Sequence, residues 1–169
     1  AGRCTGFLVG EDLLFTAGHC FVDKGSCEQT AFIFDFIYRE EISPFLWEEK
    51  SQIFFCQQIL ERRVPFDGES DYTLVKLDRR ARGRNPLEVS QEEIVEVEFV
   101  LLGHPLGLPQ KVAEEVKWRS PLEGASFRAE VDAFQGNSGS PLIDTRTHRV
   151  VGMLLGGEED FIKEIYSDL

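Results

Sequence analysis

Basic residues are scarce in this 169-residue sequence, 18 lysines and arginines against 30 acidic residues, for a formal net charge of −12. That deficit excludes the phosphate-neutralising surface that nucleic-acid binding needs, and its plainest reading is solubility. No apolar run approaches the roughly 18 to 20 residues that cross a bilayer, so no membrane segment is expected. The first residues, Ala-Gly-Arg-Cys, lack the charged and apolar regions of a signal peptide, so an exported form would already have lost its leader. Cysteine is limited to positions 4, 20, 27 and 56, with no C-x-x-C pair. This argues against a zinc or redox centre, and no metal or cofactor is expected. An even number of cysteines fits two disulfides and an oxidising compartment, secreted or periplasmic, with three pairings open.

What the chain does contain is a succession of short runs rich in β-branched and aromatic residues, separated by Gly, Pro or charged clusters. The runs Thr5 to Val9, Leu13 to Thr16, Ala31 to Tyr38, Gln52 to Leu60 and Tyr72 to Leu77 form a first set. A second set comprises Val95 to Gly103, Lys111 to Trp118, Ser126 to Val131, Pro141 to Asp144 and Val150 to Leu155. Strands at this spacing, without long helical periodicity between them, predict an all-β chain of antiparallel barrels or sandwiches. The segment from Asp78 to Pro86 carries four arginines, a glycine and a proline, and reads as a solvated linker. It divides the chain into residues 1–85 and 86–169. Apolar residues at 161, 162, 165 and 166 have a helical period, which predicts a short C-terminal helix.

Three residues stand where chemistry could sit. His19 follows the apolar run ending Phe15-Thr16-Ala17-Gly18, where a strand should turn, and an imidazole there can serve as general base. Ser138 lies in Gly136-Asn137-Ser138-Gly139-Ser140-Pro141. Glycines on either side permit a tight turn and close approach of a substrate, and a nucleophilic serine needs nearby amides for a developing oxyanion. Asp71 immediately precedes the apolar run Tyr72 to Leu77, where it could point inward and orient an imidazole. Taken singly, each residue also fits an ordinary turn. His104 and His148 fall in polar turns and are expected to be solvated and non-catalytic.

These motifs together resemble the trypsin/chymotrypsin-like serine peptidases, in particular bacterial members related to glutamyl endopeptidases. Thr16-Ala17-Gly18-His19-Cys20 is similar to that family's histidine motif. Asp71-Tyr72-Thr73-Leu74-Val75-Lys76-Leu77 is similar to its aspartate motif, with Thr73 where alanine is usual. The Gly136 to Pro141 run resembles its serine motif, and Gly103-His104-Pro105-Leu106-Gly107 a turn early in its second barrel. The order His, Asp, Ser is also the chymotrypsin order.

The resemblance implies two six-stranded antiparallel β-barrels with the active site in the cleft between them, His19 and Asp71 on the first and Ser138 on the second. It implies oxyanion-hole amides from Gly136 and Ser138, and a Cys4–Cys20 disulfide that leaves Cys27 to pair with Cys56. The implied activity is peptide-bond hydrolysis through an acyl-enzyme, on peptide or protein substrates, by a monomer. Three residues precede Cys4 and twelve follow Gly157, which leaves the completeness of the first barrel and of the pocket's outer wall open. Asn137 stands where animal relatives have the aspartate that pairs with a new N-terminus.

For specificity, Asp132 lies six residues before Ser138, at the base of the primary pocket in trypsin-like enzymes, and Leu154, Leu155, Gly156 and Gly157 fall on the strand expected to close that pocket. A buried carboxylate there would favour Arg or Lys at the cleaved bond, with a small or apolar preference the competing expectation. The absence of a histidine from Gly152 to Gly157 disfavours glutamate. The main alternative is a catalytically inactive binding module on the protease fold.

Overall fold

The computed structural model describes residues 4–38, 50–64, 70–91, 98–121 and 127–157. The helix expected near the C-terminus lies outside them. Within them the chain forms ten strands and only short 3₁₀ turns.

The first sheet comprises β1 (Gly6–Leu8), β2 (Leu13–Thr16), β3 (Ala31–Ile33), β4 (Ile53–Arg63) and β5 (Tyr72–Leu77), in the antiparallel order β1-β2-β5-β4-β3. The second comprises β6 (Phe99–Gly103), β7 (Lys111–Pro121), β8 (Phe127–Glu130), β9 (Pro141–Asp144) and β10 (Val150–Met153), in the order β10-β9-β6-β7-β8. Each therefore has five strands among the described residues, against the six that the resemblance implied. Bulges interrupt the β4–β5, β6–β7 and β7–β8 ladders. A bulge bends its strand and increases its twist, so both sheets curl into half-barrels.

Alternation explains the register. In β5, Thr73, Val75 and Leu77 are buried while Tyr72, Leu74 and Lys76 are half-buried, the period of a strand with one face in a core. Val75 and Leu77 join Leu8, Leu14, Phe21 and Phe54 in the first core. Phe99, Leu101, Val116 and Leu142 form the second. A third cluster, Phe7 with Ile143 and Val150, joins β1 to β9 and β10 and so ties the sheets together.

Two expectations need correction. The strand expected over Ala31 to Tyr38 ends at Ile33 because Asp35 takes φ 58°, a left-handed conformation that breaks a ladder. Its faces also differ, since Phe34 packs on the first core while Ile33 and Ile37 are exposed. Nor is the arginine-rich crossover merely solvated. Arg79 lies over the Phe54 ring at 3.9 Å and donates to the Ile53 carbonyl at 2.6 Å. Arg84 pairs with Asp35 and lies 5.3 Å from the Phe34 ring. Two guanidiniums thus cover the aromatic edge of the first core.

Candidate active site

β2 ends at Thr16, and the chain then makes a single 3₁₀ turn over Gly18–Cys20. Only glycine fits at position 18, where a Cβ would lie 1.8 Å from the Arg63 carbonyl oxygen and 2.7 Å from Asp71 Oδ1. The same tightness presents His19 to the carboxylate twice. Its amide donates to Asp71 Oδ1 at 2.9 Å, and its Nδ1 lies 2.7 Å from Oδ2. Asp71 is buried, with 7% of its side chain exposed, whereas 42% of the His19 side chain is open. A carboxylate accepts, so the tautomer that satisfies this pair carries its proton on Nδ1 and leaves Nε2 as the ring's acceptor.

Ser138 lies in a loop built on two left-handed glycines, Gly136 at φ 98° and Gly139 at φ 88°. A Cβ at Gly139 would lie 2.1 Å from the Thr5 carbonyl oxygen and 2.4 Å from Thr16 Oγ1, so this loop docks directly on the first sheet's side of the molecule. The Thr5 amide donates to the Ser138 carbonyl at 2.8 Å, and that carbonyl is 3.9 Å from Cys20 Sγ, one residue beyond His19. Ser138 Oγ itself donates to the Leu155 carbonyl at 3.4 Å. Among the described residues, the Gly136 and Ser138 amides donate to no backbone carbonyl.

Cys4 bonds Cys20 and Cys27 bonds Cys56, the pairing that the resemblance implied. Donor atoms of Cys4, His19 and Cys20 fall within 4.8 Å of one another. Both sulfurs are committed to the disulfide, however, so no thiolate is left there for a metal.

Asp132 is exposed and lines a cavity of about 240 Å³ together with Leu101, Val112, Phe134 and Asn137. Leu154, Leu155, Gly156 and Gly157 are not part of that lining. Leu154 instead accepts the Gly139 amide at 2.7 Å, and Gly156 and Gly157 are exposed. His104, expected to be solvated, is half-buried and stacks on Phe36 with ring centroids 5.7 Å apart. Burial pushes its imidazole below the usual histidine range, against a smaller opposing effect of the Leu108 carbonyl.

Two residues of the site carry no local sequence signal. Thr5 is buried, donates from Oγ1 to the Gly136 carbonyl at 2.9 Å and accepts the His104 amide at 3.0 Å. Arg62 reaches the turn around His19 from β4. A threonine after a cysteine and an arginine in a strand are unremarkable until tertiary structure gives them partners.

Among curated proteins, none matches the sequence. Solved structures share the fold at low identity. A Glu endopeptidase is 16% identical with a TM-score of 0.59, over 92% of this chain and 74% of that one. A thermostable serine protease from an extremophilic microorganism is 14% identical with a TM-score of 0.63, over 88% of this chain and 74% of that one. Kallikrein-related peptidase 10, in complex with Zn2+, is 16% identical with a TM-score of 0.63, over 92% and 76%. The double half-barrel is thus the chymotrypsin-like fold. The family model for a trypsin-like peptidase domain matches residues 4–153, which include the two sheets, the His19–Asp71 pair and the serine loop. By that match the chain belongs to the trypsin-like peptidase domain family.

Proposed function

We propose that the protein is a serine endopeptidase in which Ser138 is the nucleophile, His19 the general base and Asp71 the group that orients it. The observation that carries this reading is the doubly hydrogen-bonded His19–Asp71 pair, together with a glycine-framed serine loop that packs on the residues leading into the His19 turn. In the reaction, Ser138 Oγ attacks the scissile carbonyl carbon while Nε2 of His19 takes its proton. The amides of Gly136 and Ser138 hold the resulting oxyanion, and the imidazolium returns its proton to the departing amine. Water then repeats the sequence on the acyl-enzyme. Asp71 stabilises the imidazolium throughout without becoming protonated. The hydroxyl must first leave the Leu155 carbonyl, a rotation about χ1.

That last contact favours the second reading, an inactive protease-fold module, because it engages the hydroxyl with a carbonyl in place of a base. Fluorophosphonate labelling separates the two. Stoichiometric modification of Ser138, abolished in Ser138→Ala and in His19→Ala, supports the enzyme. A folded protein that stays unlabelled is the module.

Peptides or proteins are the substrates of this reading. Selectivity for Arg or Lys would rest on Asp132, whose exposed carboxylate offers a screened contact in place of a buried ion pair. Cleavage profiling of wild type beside Asp132→Ser tests it, since a basic preference unchanged by the substitution removes Asp132 from the pocket. Two disulfides support a secreted or periplasmic setting.

A further inference from the structure

Arg62 pairs with Thr73 across the β4–β5 ladder, and Thr73 is fully buried. Directly opposed residues share a face of the sheet, so Arg62 is on the inward side, half-buried, where a charge needs partners. Among the described residues it has no carboxylate partner. Its guanidinium instead donates from Nε to the Gly18 carbonyl at 3.0 Å and from Nη2 to the Phe21 carbonyl at 2.6 Å. Those two carbonyls bracket His19 and Cys20.

The turn they belong to has little to hold it by itself. Its own bonds, Cys20 amide to Ala17 carbonyl and Phe21 amide to Gly18 carbonyl, are both 3.3 Å long. Bonds from an ionised donor are roughly twice as strong as neutral ones, and a planar guanidinium fixes two acceptors at once. Asp71 grips the His19 ring and amide from one side and the Cys4–Cys20 disulfide anchors the end of the turn, but neither holds the Gly18 and Phe21 carbonyls. Arg62 fixes those two carbonyls together.

We propose that Arg62 is a positioning residue for the general base, clamping the Gly18–Phe21 turn so that the His19 ring faces the serine loop. The proposal rests on the reading of His19 as the base. A neutral side chain removes the clamp. Lysine keeps the charge but loses the planar fork, so it cannot span both carbonyls in the same geometry.

The test measures kcat and KM on a peptide substrate for wild type, Arg62→Ala and Arg62→Lys, each well below its own melting temperature. A displacement of about 1 Å in a catalytic group lowers the rate about 10²-fold, so Arg62→Ala should lose about that much in kcat with KM changed less than about threefold. Millimolar methylguanidinium should restore part of the Arg62→Ala rate and leave wild type unaffected. Arg62→Lys, the variant more apt to remain folded, should lie between the two. A folded variant with kcat within about threefold of wild type, or one that loses rate only through KM, overturns the proposal. So does a drop in melting temperature and rate without rescue, which would make Arg62 purely structural.

Wild type inert to fluorophosphonate would instead mark failure of the catalytic reading. The low-field proton resonance of the His19 Nδ1–H bonded to Asp71 then decides the positioning role. Its loss in folded Arg62→Lys supports the clamp, and an unchanged resonance overturns it.

Discussion

Replacing Thr5 by valine keeps the shape of the side chain and removes one hydroxyl. That hydroxyl donates to the Gly136 carbonyl at 2.9 Å and accepts the His104 amide at 3.0 Å, inside a residue only 7% exposed. Because the volume is unchanged, no cavity term enters. The loss is that of a buried carbonyl and a part-buried amide left without partners, each costing about 1–3 kcal/mol. Together they predict a destabilisation of about 2–6 kcal/mol, a large share of the roughly 5–15 kcal/mol that holds a typical domain. Urea unfolding at constant m-value reads it as a shift in midpoint.

Thr5→Ser is the matched control. It retains the hydroxyl, loses a methyl and should fall only about 1 kcal/mol below wild type. The reasoning fails if Thr5→Val unfolds within about 0.5 kcal/mol of wild type, or if the serine variant is damaged as badly. Either result would mean that the hydroxyl is replaceable by water at that position.

Among the described residues Thr73 Oγ1 is buried without a hydrogen-bond partner, so Thr73→Val should leave stability unchanged or raise it by about 1 kcal/mol in the same urea assay. Opening the Cys27–Cys56 bridge by a double serine substitution frees a loop of sequence separation 29, and loop-closure entropy puts the loss at about 3–4 kcal/mol. His104 is held below its usual range by burial. As the pH falls through about 6.5, the unfolded chain binds a proton that the folded chain refuses, so folding weakens on the acid side. Urea midpoints at about pH 8 and pH 6 should therefore converge in His104→Asn relative to wild type.

The strands were legible in the sequence because a two-residue period and flanking turn residues act locally. Leu13–Thr16, Tyr72–Leu77 and Pro141–Asp144 are bounded in the structure as the pattern predicts. The run after Ala31 was not, because hydropathy carries no record of the positive φ at Asp35. His19 and Asp71 were legible for a different reason. Each sits at the end or start of a strand, in a local motif whose residue types suit one chemistry. Thr5, Arg62 and Arg79 act only through partners brought near by folding, and their neighbours in sequence say nothing of it. Asp132 was named from its spacing to Ser138 alone, and spacing carries no record of the exposure that the structure gives it.

The position of the Ser138 loop depends on the first half of the chain as well as on the second. Ser138 precedes β9 by three residues, yet its carbonyl is held by the Thr5 amide and the neighbouring Gly139 lies against Thr5, Thr16 and Ala17. Those residues flank or end β1 and β2, the strands that lead into the His19 turn. The His19 turn and the Ser138 loop therefore share one foundation, a few residues deep, although they are more than a hundred residues apart in the chain. The apolar contact of Phe7 with Ile143 and Val150 holds the other end of the same seam. A close-packed interior transmits small displacements rather than absorbing them. The glycine at 139 is thus as much a part of the geometry as the serine beside it: any side chain there would push the loop off Thr5 and Thr16, and so shift Ser138 relative to the His19 turn.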